Sequence, residues 1–485
     1  MNLSQLKFSV TFLLILFFCG HSSAQKLTLD YDLNEYKLPY LKRHLLEFDF
    51  SIANTHSVTK YTYKDLDPDK SVTRNFSSNL NPEYTFYLNS NKYQINQMIS
   101  GNLPGISFQK YSSDGSGYNN SQLDLNPSVV YSGEFREYIA GRLFLEQDVI
   151  FQFSYERDLN KSEQINDLDE VTYKETFDMN SQNLSVSIPV LVGWGRVERV
   201  EDARLAVYIL DDLQKAGQLS REVNSRDISL LAKRISEVQN ERFFDSRHKK
   251  IWELEQIDSI LHDIGLVEAD NIYYFTLLND NWDYANGPLR ESGFRVSGGL
   301  CPELMYNMGN THYEQNYPDL DSINTTDSET KDRQIGGGSL IRLDYEKPLN
   351  LYWQFSLGNE FRVSQLFEKS EYLDAPETKY RNLSLDNQFF IAFGFYPNSR
   401  TSMSLSMSEA YIYQKIAEEN QEDIITHTIR SSIWFSFNYY VSPQIRLYLH
   451  SGIYSNYSKT DDSINQSIGA NFDYSMNVSL VYKLL

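Results

Sequence analysis

Along most of this chain apolar and polar residues take turns, and one block in the middle breaks the rhythm. Alternation runs to Val192; from about Glu201 apolar residues recur every third or fourth position; by Phe294 alternation is back. In a strand, parity is side, whereas a helix gathers positions three and four apart on one face. In "NLYWQFSLGNEFRV", Leu351, Trp353, Phe355, Leu357, Phe361 and Val363 share one parity. Asn350, Tyr352, Gln354, Ser356, Glu360 and Arg362 share the other. "TSMSLSMS", "HLLEFDFSI" and "QIRLYLHSGIY" sort in the same way. The pattern predicts long amphipathic strands interrupted by a helical segment.

Two architectures alternate like this. A soluble sandwich turns the apolar face inward, in strands of about 5–6 residues. A membrane barrel turns it outward, in strands of about 9–11 residues, and has to close because lipid rejects an open sheet edge. The segments here are of the longer kind, and Glu146 and Asp148 in "AGRLFLEQDVIFQFSYE" fall on the non-apolar face, as a watery lumen permits. The expectation is an all-β transmembrane β-barrel of about fourteen antiparallel strands. They fall near 43–56, 73–88, 93–108, 121–134, 139–156 and 172–192, then 293–309, 337–346, 350–363, 381–396, 400–415, 425–440, 444–457 and 469–485.

The connections carry a second regularity. Long polar ones ("SVTKYTYKDLDPDKS", "QKYSSDGSGYNNS", "NTHYEQNYPDLDSINTTDSETKDRQ", "KSEYLDAPETK") alternate with short ones ("NSNK", "FREY", "EKPL", "PNS", "VSPQ"). Outer-membrane barrels keep long loops outside and short turns in the periplasm. An even number of strands precedes the helical block and an even number follows it. The block therefore starts and ends on the short-turn side, as a small α-helical insert in the periplasm.

Within the block, helices are predicted near 201–216, 226–239 and 248–263. Their stripes are Ala203, Ala206, Val207, Leu210 and Leu213; Ile228, Leu231, Ile235 and Val238; and Ile251, Leu254, Ile257 and Leu261. Such stripes bury against one another or against a barrel rim. In "RFFDSR", Arg242, Asp245 and Arg247 are candidates for docking a carboxylate- or phosphate-bearing partner, since Arg forks grip such groups. The simpler account has Phe243 and Phe244 wedged between helices and Asp245 capping the next one. "GWGR", Gly193 to Arg196, reads as a flexible strand exit and lacks the Walker spacing and lysine. The organisation expected is a signal over 1–24, a periplasmic segment over 25–42, barrel strands over 43–194, the insert over 195–290 and further strands over 291–485.

Composition narrows the class. The 485 residues carry a net charge of −21, which argues against a nucleic-acid partner, and the 35 tyrosines and 28 phenylalanines argue against a disordered acidic chain. Lys7, the apolar run "FSVTFLLILFFCG" and "SSAQ" form an export signal cut before Gln25. Bulky Phe18 before Cys19 favours that cut over lipidation, which leaves Cys301 as a lone thiol, with no disulfide and no Cys-based metal site expected. No later run reaches the ~18 apolar residues of a spanning helix.

The layout as a whole resembles outer-membrane β-barrel proteins of the Bacteroidetes type. The likeness rests on the signal, the amphipathic strands, the aromatic content and the final strand "FDYSMNVSLVYKLL", where Phe472, Tyr474, Met476, Val478, Leu480, Tyr482 and Leu484 share one parity. The stretch from "GWGRVERVEDARLAVYILDDL" to "YFTLLNDNWDYAN" looks like an insert shared by uncharacterised members. The resemblance implies a Gram-negative outer membrane, contact with its lipids, and recognition of the last strand by the barrel-assembly machinery. Leu485 departs from the usual aromatic terminus.

Catalytic chemistry finds no support. The histidines left after the signal, from His44 to His450, form no HExxH, there is no GxSxG, and neighbouring His450 and Ser451 point to opposite faces of a strand. Acidic "DLDPD" is most simply a solvated loop. No enzyme, cofactor or metal is expected. The leading expectation is a passive channel or uptake barrel for small solutes, lined by Arg142, Glu146, Asp148, Glu360, Arg362, Arg430 and Arg446. Alternatively these charges pair to fill and stiffen the lumen, or the protein is an interaction module whose insert binds a periplasmic partner or peptidoglycan.

Overall fold

The computed structural model describes residues 27–38, 40–61, 69–113, 117–166, 170–239, 246–268, 271–284, 289–373, 375–418, 423–442, 445–461 and 466–482. The export signal, the "DLDPD" acids up to Pro68 and Leu485 lie outside them.

Alternation produces one antiparallel sheet. Its first strands are β1 (Leu41–Tyr61), β2 (Asp69–Asn89), β3 (Tyr93–Ser113), β4 (Tyr118–Leu125), β5 (Ser128–Ala140), β6 (Leu143–Ile165), β7 (Val171–Ser187) and β8 (Val190–Arg199). After the helices come β9 (Glu291–Tyr317), β10 (Ser322–Pro348), β11 (Trp353–Tyr372), β12 (Ala375–Phe395), β13 (Thr401–Glu418), β14 (Ile424–Tyr440), β15 (Ile445–Asp461) and β16 (Gln466–Tyr482). These sixteen strands fill fourteen positions, because β4 and β5 both lie between β3 and β6, and β7 and β8 both lie between β6 and β9. Pro127 and Pro189 occupy the two gaps, where a residue without an N–H cannot continue the ladder. The longest strands, β9 and β10, have 27 residues each, about 90 Å of chain and far more than a bilayer needs.

The sheet curls so that its polar face is enclosed. On β6, Leu143 and Leu145 are each 41 % exposed, while Phe144 between them and Glu146 beyond are 0 % and Asp148 is 3 %. On β8, Val190, Val192 and Trp194 are likewise exposed and Leu191 is buried. β1 pairs with β2 and β16 with β15, and among the described residues no ladder joins β1 to β16. Both end strands are exposed along most of their length, Phe48, Phe50, Phe472 and Tyr474 included.

Two turn assignments change. "FREY" is no turn: Phe135 to Tyr138 lie inside β5, and the reversal falls at Gly141 and Arg142, where Gly141 takes φ +58°. "GWGR" is no flexible exit: β8 runs on to Arg199, so the helical insert starts at Val200, not at 195. Its glycines answer close approaches instead. A Cβ on Gly193 would sit 2.2 Å from Cζ of Phe144, and Gly195 adopts φ +109° against the Phe294 carbonyl.

Among the described residues the insert holds four helices, not the expected three: α1 (Glu201–Lys215), α2 (Ser225–Val238), α3 (Ser246–Asp263) and α4 (Ile272–Trp282). Asn224 and Asp227 start α2 with a reciprocal capping box, and Asn271 caps α4. α1 is the centre: from Asp202 to Asp211 every residue is buried. Its Ala203, Ala206, Val207, Leu210 and Leu213 pack with Ile228, Leu231 and Ile235 of α2, Ile257 and Leu261 of α3, and Tyr274 and Leu278 of α4. The segment before β1 joins the same core through Tyr31, Leu33, Tyr36 and Leu38, and Thr28 donates to Asp211 from its backbone N (2.6 Å) and Oγ1 (2.7 Å).

The helices also rest on the short turns. Buried Arg290, which leads into β9, donates to the carbonyls of Leu351 (2.6 Å) and Asn350 (2.9 Å) in the turn between β10 and β11 and of Trp353 (2.9 Å) at the start of β11. Tyr208 of α1 donates to the Tyr396 carbonyl after β12 (3.3 Å), and the Tyr284 ring meets Tyr440 at the end of β14 (centroids 5.7 Å). Tyr87 of β2 packs on the helical core. Strands far apart in the sheet thus share one helical block at their short-turn end.

Candidate functional site: the charged interior

Inner-face parity places ionisable side chains from different strands in one enclosed space. Arg136 of β5 donates from Nε to Glu146 Oε2 (2.5 Å) and from Nη2 to Glu134 (2.8 Å). Arg342 of β10 donates from Nη1 to Glu146 Oε1 (3.0 Å) and Asp148 Oδ2 (3.1 Å), and from Nε to Glu360 of β11 (3.1 Å). Arg362 reaches Glu303 of β9 (2.9 Å) and lies 3.6 Å from Glu360. Beside this chain, Arg295 of β9 holds Asp344 of β10 (2.7 Å). The result is a belt of alternating charge, Glu134–Arg136–Glu146–Arg342–Glu360–Arg362–Glu303, running across the interior.

Space opens on both sides of the belt. Toward the helices lies a pocket of about 150 Å³ lined by Tyr87, Gln94, Arg136, Arg199, Glu291 and Glu346, among others. On the other side lies a cavity of about 610 Å³. Its inner-face lining includes Arg342, Glu360, Asp386, Gln388, Phe390, Ser408, Arg430, Ser432 and Tyr454. Buried charge of this density is tolerated only where each group finds an opposite charge, hydrogen bonds or water.

Of the expected lining residues, Glu146, Asp148, Glu360 and Arg362 meet in the belt and Arg430 faces the larger cavity. Arg446 sits apart near the short-turn end, donating to Asn438 (3.1 Å) with its guanidinium over the Tyr440 and Tyr448 rings. Arg142 does not line the interior. It occupies the exposed turn before β6, its guanidinium over outward-facing Trp194 (5.7 Å), because the parity carried through "AGRLF" breaks at that turn. Arg242 and Asp245 lie outside the described residues, and Arg247 falls in α3 with its side chain outside them. Arg136, Arg295, Glu303 and Arg342 were not singled out in the sequence. In "IRLDYE" the signal was present: Ile341, Leu343 and Tyr345 take one parity, and Arg342, Asp344 and Glu346 the other.

No family model matches the chain, and no curated protein does. Among solved structures, the chain is similar to the toluene transporter TodX of P. putida at 10% identity and a TM-score of 0.25, over 92% of this chain and 89% of that one. It is similar to OccK11 of Pseudomonas aeruginosa at 6% identity and a TM-score of 0.15, over 94% and 100%. At such scores neither likeness adds to what the strand ladders and the inner-face contacts already establish.

Proposed function

We propose that the protein is an outer-membrane β-barrel through which small polar solutes pass, with the helical block seated in the periplasm across its short-turn mouth. The observation that carries this is the inversion of burial on β6, where leucines are exposed and Glu146 is fully buried. Water favours the reverse; hydrocarbon outside and a polar lumen inside favour this. In a bilayer the free edges of β1 and β16 cannot stay open, since each unpaired backbone group there costs several kcal/mol. They close on one another, leaving a fourteen-position wall.

The belt and the block both narrow the route, which fits a selective path better than a wide pore. The test combines two measurements on protein extracted in detergent. Migration on a denaturing gel should shift on boiling, and reconstituted liposomes should admit small polar solutes. A polypeptide that is folded and monodisperse in the aqueous periplasmic fraction, without detergent, would end the proposal.

A further inference from the structure

We infer that the 610 Å³ cavity is a binding site for a small zwitterion, a short peptide carrying both a free carboxylate and a free ammonium group; this rests on the proposed solute path. Its volume falls in the roughly 300–1,000 Å³ range of small-molecule sites. Most interior charges nearby are already matched. Arg342 and Arg362 share Glu360, and Arg295 holds Asp344. Three charged groups of the lining stand outside that pairing; Glu409 shares the outward parity of Met407 and Tyr411 on β13, which leaves Arg430 and Asp386 on the inner face. Arg430 is exposed to the cavity and has neither ion pair nor hydrogen bond among the described residues. Among the described residues, Asp386 accepts only from Gln388 at Oδ2 (3.1 Å), and its Oδ1 is buried without a partner.

Arg430 and Asp386 do not satisfy one another. Asp386 of β12 stands opposite Ile412 of β13, and Ile412 stands opposite Thr428 of β14, two residues from Arg430. Two strand spacings put the groups' backbones about 10 Å apart laterally. An extended peptide spans about 3.5 Å per residue, so two or three residues bridge that separation. A carboxylate would take the guanidinium of Arg430 in a two-pronged hydrogen bond, and the ammonium would take Asp386. Between them, Phe390 and Ile412 offer apolar contact, while the Ser408 and Ser432 hydroxyls, 2.7 Å apart, and Tyr454 offer hydrogen bonds. A simple anion would gain Arg430 but face Asp386 and Glu360; a simple cation would meet the opposite conflict.

The test titrates trialanine into the detergent-solubilised full-length mature protein by calorimetry, with N-acetyl-trialanine and trialanine amide as probes lacking one charge each. Saturable binding of trialanine is expected, weakened about tenfold or more by Arg430→Gln and by Asp386→Asn. Trialanine amide should bind both wild type and the Arg430→Gln variant equally weakly, and N-acetyl-trialanine should do the same for wild type and Asp386→Asn. A shift in gel migration on boiling certifies that each variant is folded. No saturable binding to wild type, or binding that both variants retain, overturns the inference. Equal affinity for N-acetyl-trialanine and trialanine overturns it too, leaving an anion site. Solute exclusion from liposomes alongside intact calorimetric binding would instead refute the solute path.

Discussion

Arg342 of β10 donates one Nη1 to Glu146 and to Asp148 of β6, at 3.0 and 3.1 Å, although two strand positions separate the two strands. A contact that skips the ladder in this way ties the curl of the sheet to charge and makes the belt a structural and an electrostatic feature at once. Replacing Arg342 with Ala strands Glu146, which is fully buried, with only Arg136 for company. The expected loss is roughly 3 kcal/mol, the scale of breaking a buried pair from one side. It is measured as a lower temperature or urea midpoint for the boiling-dependent gel shift. Arg342→Lys should rescue little, since one ammonium cannot reproduce the fork that serves three carboxylates.

On the proposed solute path, the same substitution should alter permeation. Without the guanidinium, Glu146, Asp148 and Glu360 present uncompensated negative charge to passing ions. The reversal potential in a salt gradient across a planar bilayer should shift toward cation selectivity. A reversal potential unchanged from wild type would mean that ions do not pass the belt.

Gly193 and Phe144 form a second cross-strand device. A Cβ at 193 would fall 2.2 Å from the Phe144 ring and 2.6 Å from the Val296 carbonyl. Gly193→Ala should therefore destabilise by about 1–3 kcal/mol, the usual scale of overpacking. Adding Phe144→Ala removes the ring clash but not the backbone one, and so should rescue only in part. Full rescue in the double variant, read from the gel-shift midpoint, would mean that the backbone yields freely.

Parity made most of the architecture legible. Trp353, Phe355, Leu357 and Phe361 could be assigned to one face of β11 from order alone, because a strand has only two sides. Leu351 shares that parity yet is buried in the helical core, since the strand begins only at Trp353 and the turn before it belongs to the rim. α4 escaped because its buried stripe, Tyr274, Leu278 and Trp282, is flanked by apolar Ile272, Tyr273 and Phe275 on its exposed side, so no polar face marks it as amphipathic. The belt escaped for a different reason. Which arginine meets which carboxylate depends on how tightly the sheet curls, and β6 and β10 are remote in both sequence and ladder.

Acid should tighten the helical block before it loosens it. Burial, and then the neighbouring Asp202 charge, push Glu201 up to about 7, and burial likewise pushes Asp202 up to about 6 despite Arg43 and Arg199 nearby. A carboxyl whose folded value is raised binds its proton more readily in the native state, so stability falls as pH rises from the unfolded value near 4 through the folded one. Asp227 has the opposite sign: its hydrogen bond from Arg221 holds it low, and that contribution disappears as pH drops below about 4. Hydrogen exchange of the α1 amides, corrected for intrinsic rates, should show most protection near pH 5 and less at pH 8. Glu201→Gln should flatten the neutral limb; an unchanged profile in that variant would remove Glu201 as its source.

Arg290 and Arg400 both tie the helices to the short turns, and their surroundings predict very different worth. Arg400 meets Asp280 of α4 at 2.8 Å with both side chains about half exposed, so solvent and salt screen the pair and Arg400→Ala should cost less than about 1 kcal/mol. Arg290 is 1 % exposed and its guanidinium serves three backbone carbonyls, one of them on buried Leu351. Arg290→Ala should cost roughly 3 kcal/mol or more, because each lost bond involves a charged donor and the Leu351 carbonyl is left buried and unpaired. The block should then lift from the turn between β10 and β11 while the wall stays assembled. Limited proteolysis between α2 and α3 should accelerate in Arg290→Ala and not in Arg400→Ala, with the boiling-dependent gel shift retained in both. Equal proteolysis in the two variants would mean that the rim contact is shared out over the whole interface and that Arg290 is not its anchor.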